Sequence, residues 1–248
     1  MISFNNLGNL GRLGNQMFQY AALRGIASHK GYWYSFPSSN ELFDCFKINT
    51  TLPNSNTNIV STDKFEFDEN FFNNCPDDVD VYGFFQSEKY FKDIENEIRN
   101  DFVFKDKIYN RCKFYADEIF SENMISLHVR RTDYITDKNF EVLDMNYYRN
   151  SLEFFDSDTP VIVFSDDTEW CKDQFKEKRF IISQTKNSNM DLCLMSLCKN
   201  HIIANSSFSW WGSWLANSKK TIAPKKWFCG DFSHWNTHDL YLSHWVTI

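Results

Sequence analysis

Short apolar runs alternate with amphipathic segments through the second half of the chain. The amphipathic segments have the spacing of helices and lie near residues 145–155, 167–176, 189–199 and 207–217. The apolar runs predict strands at residues 124–129, 161–165, 180–183, 201–204 and 221–223. Apolar strands that alternate with helices are typical of a parallel sheet covered on both faces. The second half is therefore predicted to be an α/β domain.

The first half has a less regular pattern. A glycine-spaced loop (residues 8–16) runs into a segment, up to residue 31, with the apolar content of a buried helix. Residues 35–80 are polar and include an asparagine-rich patch at residues 53–58. Short strands and loops are expected in this region.

Apolar residues return after residue 80. The aromatic run at residues 82–85 predicts a short strand. Ser87 then has the character of a cap for a helical stretch from about residue 88 to residue 120. This stretch is expected to break near residues 101–106, and we place a boundary between two domains after residue 105.

The composition is that of an ordinary globular protein, with 42% hydrophobic and 24% charged residues. The net charge of −7 gives no overall basic field for a nucleic acid, so an anionic ligand needs a local basic patch. Seven cysteines without a CxxC pair predict free thiols in a reducing compartment. Because the chain lacks the pattern of a secretory signal or of a membrane-spanning apolar run, we expect a cytoplasmic protein.

The most informative segment is His128–Tyr134, which follows the first strand of the predicted sheet. It carries two adjacent arginines, Arg130 and Arg131, at the carboxyl end of that strand, where ligands bind in open α/β sheets. Each guanidinium presents a fixed fork of donors that suits phosphate oxygens, and it keeps its charge at neutral pH. For this segment alone, a solvated charged turn is the alternative interpretation.

A second polar strand end consists of Ser165, Asp166 and Asp167. A carboxylate at this point could accept paired hydrogen bonds from a ribose diol or from the N–H groups of a purine. The alternative is a helix cap, which contributes about 1 kcal/mol. We expect one of these residues to cap the next helix, and whether another binds a ligand stays open.

Asn205 ends a third strand, and residues 206–209 open the next helix with small hydroxyl side chains. Backbone N–H groups, hydroxyls and the positive end of the helix dipole make such a segment suited to phosphate. The tryptophans that follow are predicted to pack the helix rather than to stack on sugar: Trp210, Trp211 and Trp214.

The glycine-spaced loop ends in Gly14, Asn15 and Gln16. It lacks the Lys-Ser/Thr pair of a P-loop and does not match the dinucleotide fingerprint. Its glycines still permit close approach of a ligand to the backbone, and the helix start presents N–H groups to an anion. A tight turn that packs only for its own sake is an equal alternative.

Two DxD triplets, at residues 78–80 and 156–158, match the metal-binding signature of one class of glycosyltransferase. Such triplets arise easily in a chain with 33 acidic residues. We interpret both as solvated turns and predict no metal.

Five motifs together resemble the α-1,2-fucosyltransferases of glycosyltransferase family 11. They occupy residues 11–21, 85–91, 128–134, 164–167 and 194–212. The first and last are long and specific, and with the segment ending at Trp227 the motifs extend over nearly the whole chain. The His-x-Arg-Arg stretch is shared with α-1,6- and protein O-fucosyltransferases, so it indicates GDP-fucose use more firmly than linkage.

The resemblance implies an α/β, GT-B-like fold with two Rossmann-type domains whose parallel sheets face a cleft. Residues 1–105 would form the N-terminal domain on the acceptor side, and residues 106–248 the C-terminal domain that binds the GDP-sugar. The implied reaction is metal-independent, inverting transfer of fucose from GDP-β-L-fucose to the 2-hydroxyl of a terminal β-galactoside. Another GDP-sugar or linkage, and a non-catalytic nucleotide-sugar or glycan-binding module, remain alternatives. The acceptor, the oligomeric state and peripheral association with a lipid-linked glycan stay open.

Catalysis then requires positive charge where the diphosphate leaving group develops negative charge, and Arg131 and Arg130 are the candidates. Asp133 is the candidate general base, although it could equally orient an arginine, and a phosphate oxygen could take the proton. Gly14 and Asn15 would approach the diphosphate from the other domain.

Guanine and ribose are assigned to His128 together with one of the two aspartates after the second strand, Asp166 or Asp167. The helix start at residues 206–209 would add fixed dipoles at the phosphates. The predicted donor-binding residues are Gly14, Asn15, Gln16, His128, Arg130, Arg131, Tyr134, Ser165, Asp166, Asp167, Asn205, Ser206, Ser207, Phe208 and Ser209.

Overall fold

The structure is a computed structural model that describes residues 1–49, 51 and 57–248. Most of the predicted asparagine-rich patch, residues 53–56, lies outside the described residues. The chain divides into two compact units. The first consists of Met1–Lys105 and Trp235–Leu242, and the second of Asp106–His234 and Ser243–Ile248. The segment Trp235–Leu242 thus returns to the first unit from within the predicted C-terminal domain.

The first unit contains a sheet of short strands that pair in parallel, in the order β2-β1-β4-β3. The strands are β1 (Ile2–Ser3), β2 (Tyr34–Ser35), β3 (Ile59–Ser61) and β4 (Asp80–Tyr82). The α-helices are α1 (Leu13–Lys30), α2 (Glu41–Cys45), α3 (Glu69–Asn74) and α4 (Glu95–Asp101). Short 3-10 helices cover Glu88–Tyr90, Lys92–Ile94 and His238–Leu240.

Helix α1 is buried over most of its length, as the sequence predicts. Met17, Phe18 and Ala21 are fully buried in it. The helix ends at Gly31, whose φ of 67° gives the left-handed cap that glycine adopts without a Cβ penalty. The glycine-spaced loop therefore leads into a helix that is fixed in the core of the first unit.

The strand predicted at residues 82–85 is wrong. Strand β4 ends at Tyr82, and Phe85 has a φ of 51° in the left-handed region, which breaks extended pairing. The Phe85 side chain is buried instead, with its ring edge-on to Phe4 and Tyr90. The aromatic run therefore supplies core packing rather than a strand.

The helical stretch predicted from residue 88 is two 3-10 turns followed by α4, and the predicted break is present before the next helix. Phe104 forms an antiparallel bridge with Phe46 at this break. The backbone N–H groups of Lys47 and Lys105 donate to the carbonyls of Val103 and Cys45 across it. Strand-like pairing at the break therefore replaces helical hydrogen bonds.

The second unit contains a six-stranded sheet in the order β10-β9-β8-β5-β6-β7, in which every neighbouring pair is parallel. Its strands are β5 (Ile125–Val129), β6 (Val161–Ser165), β7 (Phe180–Ile182), β8 (Asn200–Ile202), β9 (Lys220–Ala223) and β10 (Val246–Thr247). Its α-helices are α5 (Asp106–Ile119), α6 (Met145–Leu152), α7 (Thr168–Gln174), α8 (Ser188–Leu197) and α9 (Ser207–Leu215), with a 3-10 turn at Gly230–Phe232. The predicted parallel α/β pattern is confirmed.

Strand β5 lies at the centre of this sheet, and all five of its residues are buried. Its register with β6 pairs Val129 with Ser165, and its register with β8 pairs Leu127 with Ile202. Parallel strands in register end at one edge of the sheet. The three polar segments that follow β5, β6 and β8 therefore meet at that edge.

Candidate active site

Asp166 organises the segment that follows β5, which we call the arginine turn (residues 130–134). One carboxylate oxygen, Oδ1, accepts from the backbone N–H of Arg131 at 3.0 Å. The other, Oδ2, accepts from Arg130 Nη1 and Thr132 Oγ1, each at 2.6 Å, and from the Thr132 backbone N–H at 3.3 Å. A single carboxylate thus fixes three consecutive residues of the turn. Burial acts to raise the pKa of Asp166, but the Thr132 hydroxyl, the Arg130 charge and the Arg131 N–H outweigh it and lower that pKa.

The two arginines of the turn differ in how many of their side-chain nitrogens donate hydrogen bonds to other residues. Arg130 uses both terminal nitrogens, Nη1 on Asp166 and Nη2 on Asp133, and its guanidinium lies 5.3 Å from the Tyr134 ring centroid. Arg131 uses only Nε, which donates to Asp167 at 3.1 Å. The terminal nitrogens of Arg131 donate no hydrogen bond to any residue that the structure describes, so four N–H groups remain for a ligand.

Asp167 is the helix cap that the sequence predicts. Its Oδ1 accepts from the backbone N–H of Trp170 at 3.2 Å, which satisfies the first turn of α7, and its own N–H donates to Ser165 Oγ at 2.9 Å. Its Oδ2 accepts from Arg131. The Trp170 ring also contacts that arginine, with the guanidinium carbon 4.2 Å from the ring centroid.

His128 is buried at the end of β5, where its Nδ1 lies 2.9 Å from Ser209 Oγ. Burial lowers the pKa of His128 to about 3; Arg130 adds to this effect and Asp166 opposes it. The imidazole is therefore neutral across the physiological range. His128 also lies against Phe208, with ring centroids 5.7 Å apart.

Asn205 connects three loops at the end of β8. Its Nδ2 donates to the carbonyls of Glu141 and Trp227 at 3.0 and 2.9 Å, and its own carbonyl accepts from Tyr134 Oη at 3.0 Å. Its Oδ1 is buried without a hydrogen-bond partner among the described residues. Asn205 therefore ties the arginine turn to the loop that contains Trp227.

The start of α9 is more buried than a phosphate-binding helix start that is open to solvent. Ser206 is its cap, with Oγ accepting from the Phe208 N–H at 3.4 Å, and Ser209 Oγ donates to the Ala204 and Ser206 carbonyls. Ser207 and Phe208 are half-buried, whereas Ser209 is 1% exposed. The tryptophans that follow are buried in the core, which confirms the predicted packing role: Trp210, Trp211 and Trp214.

In the first unit, buried amides hold the glycine-spaced loop. Gln16 Nε2 donates to the carbonyl of Gly11 and to Glu41 Oε1, both at 3.1 Å, and Gln16 Oε1 accepts from the Glu41 N–H at 3.0 Å. Asn15 Oδ1 accepts from Gln86 Nε2 at 3.0 Å. A Cβ at Gly11, which has a φ of 90°, would lie 2.4 Å from Asn15 Nδ2, so only glycine fits there. Gly14 is buried in the first turn of α1.

The second DxD triplet lies in an exposed turn, as predicted, but the prediction of a solvated turn is wrong for the first, whose Asp80 begins β4. Asp80 is buried and accepts from the Asn5 N–H at 2.7 Å and from Ser3 Oγ at 3.2 Å. Asp156 and Asp158 are exposed. Over residues 1–49, 51 and 57–248, no three His, Cys, Asp or Glu side chains are grouped as a metal site would need. Within the same residues, no helix is both long enough and apolar enough to cross a bilayer.

The sheet edge thus brings together the predicted residues of all three polar segments of the second unit. Thr132, Glu141, Trp170 and Trp227 complete these contacts and were not anticipated from the sequence. The only local signal is that Trp170 stands three residues after Asp167, in the first turn of a predicted helix. The other three act across long sequence separations, or through their carbonyl groups, which sequence patterns do not reveal.

The family model of glycosyl transferase family 11 matches residues 2–248. The chain belongs to glycosyltransferase family 11. This match confirms the family that the five motifs indicate. The polar sheet edge accordingly lies in a chain of family 11.

Three relatives of this family 11 chain differ in how much of their length the chain covers, and two of them are named for different sugars. The O-antigen biosynthesis glycosyltransferase WbnK of Escherichia coli is 33% identical over 72% of the chain and 65% of its own length. The alpha-1,2-colitosyltransferase of Escherichia coli is 32% identical, with 96% of both proteins covered. Galactoside alpha-(1,2)-fucosyltransferase 2 of Rattus norvegicus is 24% identical over 85% of the chain and 66% of its own length. The chain therefore spans slightly less than two thirds of two relatives and nearly all of the third.

Two solved structures share the fold of the family 11 chain. POFUT1 in complex with GDP has a TM-score of 0.55 at 11% identity, with 88% of this chain and 94% of that chain covered. The NodZ alpha-1,6-fucosyltransferase soaked with GDP-fucose has a TM-score of 0.54 at 14% identity, with 86% and 91% covered. The implied GT-B-like fold with two parallel sheets is confirmed, and at these identities the likeness concerns the fold alone.

Proposed function

We propose that this family 11 enzyme transfers L-fucose from GDP-β-L-fucose to the 2-hydroxyl of a terminal β-galactoside, with inversion and without a metal. The observation that carries the proposal is Arg131, which holds four uncommitted N–H donors at the carboxyl edge of the parallel sheet. A fixed cation with free donors suits a diphosphate that must leave with a growing negative charge.

The donor bond breaks towards a fucosyl cation and a GDP leaving group. Arg131 donates to the diphosphate through its terminal nitrogens, and each charged hydrogen bond contributes on the order of 1.5–3 kcal/mol. Arg130 adds positive charge, but its donors are already directed at Asp133 and Asp166. We therefore assign the direct phosphate contact to Arg131 first and a supporting electrostatic role to Arg130.

The nucleoside part of the donor needs acceptors for ribose hydroxyls and guanine N–H groups. Asp167 and Ser165 remain proposed for this role together with the half-buried Ser207 and Phe208 of the α9 start. Asp166 accepts four hydrogen bonds from the arginine turn, which supports a positioning role for its carboxylate. His128, as a buried neutral imidazole, is proposed to support Phe208 through their ring contact.

Inversion requires that the acceptor hydroxyl lose its proton as the new bond forms. Asp133 stays our candidate for the base, with 47% of its side chain exposed, although it accepts from Arg130. A phosphate oxygen of the leaving group is the competing proton acceptor. The Asp133→Asn variant decides between them: a loss below threefold in kcat favours the phosphate.

Metal independence follows from the same charge argument. The free terminal nitrogens of Arg131 and the N–H groups at the start of α9 are proposed to bind the diphosphate directly, which a divalent cation does in other glycosyltransferases. We expect full activity in excess EDTA. Complete loss of activity, restored by Mn²⁺, would overturn this part of the proposal.

Colitose transfer is the second candidate, because the alpha-1,2-colitosyltransferase matches this chain from end to end at 32% identity. Colitose is fucose without its 3-hydroxyl. A site that hydrogen-bonds this hydroxyl rejects the deoxy sugar by about 10⁴-fold, whereas an apolar site discriminates far less. The ratio of kcat/KM for the two donors therefore identifies the sugar.

The decisive experiment is incubation of the purified chain with GDP-fucose or GDP-colitose and a panel of β-galactosides. Mass spectrometry detects the product, and NMR assigns its linkage and anomeric configuration. An α-1,2 fucoside supports the proposal, and an α-1,2 colitoside supports the second candidate. GDP binding without product or donor hydrolysis would instead indicate a non-catalytic binding module.

A further inference from the structure

We propose that Trp170 is a positioning residue that aims the Arg131 guanidinium at the diphosphate. The inference rests on the proposed function, because it concerns how that arginine is presented to the donor. The Trp170 ring centroid lies 4.2 Å from the guanidinium carbon. This is well within the distance at which a cation is attracted to an aromatic face.

The geometry of a guanidinium explains why a ring suits this task. All five N–H groups of arginine lie in one plane and point outward from its edge. A ring against the flat face leaves every N–H group available. A carboxylate, in contrast, occupies each N–H group from which it accepts a hydrogen bond. Trp170 can therefore hold Arg131 in place without competing with phosphate for its donors.

Asp167 and Trp170 restrain Arg131 from two directions. Asp167 Oδ2 accepts from Nε at 3.1 Å, which fixes one edge of the guanidinium and leaves the opposite edge free. Asp167 Oδ1 accepts from the Trp170 backbone N–H at 3.2 Å. The carboxylate and the ring are thus parts of one helix turn, three residues apart, and both contact the same arginine.

The Trp170 ring packs against the hydrophobic core of the second unit. Trp170 is half-buried and packs against the hydrophobic cluster that includes Val161, Cys171 and Phe175. Its ring meets that of Phe175 edge-on, with centroids 6.3 Å apart. A side chain needed only to cover this cluster could be aliphatic, so the aromatic face towards Arg131 is the feature that requires explanation.

The test compares Trp170→Leu, which keeps apolar packing, with Trp170→Phe, which keeps an aromatic face. Titration calorimetry measures the affinity of each variant for GDP, and thermal unfolding verifies that each is folded. We expect the Leu variant to bind about tenfold more weakly and the Phe variant to stay within about threefold of wild type. Trp170→Met replaces the Leu variant if that one unfolds at the assay temperature.

Trp33→Leu is the matched control, because Trp33 lies in the first unit with 82% of its surface exposed. Its GDP affinity should equal that of wild type. The same calorimetry is repeated in an Arg131→Ala background. If Trp170 acts through Arg131, then Trp170→Leu costs less than twofold there.

The outcomes separate this inference from the proposed function. If wild type does not bind GDP, the proposed donor is wrong. If wild type binds GDP, the positioning role is overturned by equal losses in the Leu and Phe variants, by a Leu variant within twofold of wild type, or by a loss that persists without Arg131.

NMR gives a readout without donor: the ring current of Trp170 should shift the Arg131 Nε–H resonance, and Trp170→Leu should abolish the shift. A resonance that does not move overturns the contact itself.

Discussion

The arginine turn of the second unit and the glycine-spaced loop of the first unit both follow a β-strand, yet they hold their shape by different chemistry. Asp166, Arg130 and Arg131 fix the arginine turn through ion pairs and charged hydrogen bonds. In the glycine-spaced loop, the buried amides of Gln16 and Gln86 bond to neutral groups and to one partly buried carboxylate.

This difference indicates what each segment is built to do. Charged groups taken from water are costly unless they are paired, so a chain that needs only a tight turn gains more from amides. The arginine turn keeps its charges close to one another and leaves one guanidinium partly uncommitted. The charges of the arginine turn therefore lie where a ligand can use them, whereas Gln16 and Gln86 hold the glycine-spaced loop through neutral amides.

The largest effect is expected from removing the uncommitted guanidinium. Arg131→Ala should lower kcat/KM for the donor by about 10²–10⁴-fold, because two charged hydrogen bonds of about 1.5–3 kcal/mol each are lost. The variant should stay folded, since the Arg131 side chain donates a single hydrogen bond among the residues that the structure describes. Steady-state kinetics and thermal unfolding measure both quantities.

Arg111→Ala is the control for this variant, since Arg111 is an exposed arginine on α5. It should have wild-type kinetics. Activity of Arg131→Ala within about fivefold of wild type would remove Arg131 from the phosphate role and make the charged turn a structural device like the glycine-spaced loop.

The next effect is expected from the carboxylate that organises the turn. Asp166→Asn replaces an acceptor of four hydrogen bonds by a neutral amide, and we expect it to lower the free energy of unfolding by about 2–3 kcal/mol at pH 7. Asp158→Asn, in an exposed turn, should change it by less than about 0.5 kcal/mol. Urea unfolding of both variants measures the difference.

The pH dependence of this loss has a defined sign. Because the pKa of Asp166 in the folded protein is below its ordinary 3.8, its contribution is complete above that pH and is lost as the pH falls through the folded value. The gap in unfolding free energy between wild type and Asp166→Asn should therefore shrink below about pH 3.8. A gap that stays constant down to pH 2.5 would show that the carboxylate charge is not what holds the turn.

Much of the second unit could be predicted from the sequence, because its strands are short apolar runs that differ sharply from the helices between them. The polar residues after β5, β6 and β8 were therefore placed at one sheet edge correctly. The pairing of Arg130 with Asp166 could not be predicted, since it joins residues 36 positions apart. The pairing decides which arginine keeps free N–H donors, so this difference could not be predicted either.

The first unit was harder to predict, because its strands have only two or three residues and carry little pattern. The aromatic run ending at Phe85 has the composition of a strand, but its left-handed backbone and buried ring serve the core. The structural role of Gln16, whose buried amide spans the loop and α2, could not be predicted from the motif, and donor contact by Gln16 stays a prediction. Donor contact by Gly14 and Asn15 stays a prediction.

A smaller effect is expected from the amide that closes the glycine-spaced loop. Gln16→Leu leaves the Gly11 carbonyl and the Glu41 N–H without their partner, and we expect a loss of about 1–3 kcal/mol in unfolding free energy. Because the amide carries no charge, this loss should be constant between pH 5 and 8. Gln184→Leu, at an exposed position, is the control and should be neutral.

Urea unfolding at several pH values measures the loss for the Gln16 variant. A loss that varied with pH over this range would mean that a titrating group carries the interaction. The contrast between a charged turn and a loop held by neutral amides would then fail for the first unit.

The last prediction concerns His128, one of two buried histidines in the second unit, with His201, whose pKa burial lowers to about 3. Between pH 6.5 and 3, the unfolded chain therefore binds a proton at His128 that the folded protein does not bind. Wild type should therefore lose stability as the pH falls from 6.5, with His128 contributing up to about 1.4 kcal/mol per pH unit.

His128→Asn keeps a polar atom near the Nδ1 position, where Ser209 can bond it, and removes this titration. Urea unfolding between pH 4 and 6.5 should give a shallower slope for this variant than for wild type or for His244→Asn, an exposed control. An unchanged slope would mean that His128 accepts its proton in the folded state, and the sheet edge would then gain a positive charge on acidification, whereas the amides that hold the glycine-spaced loop would not.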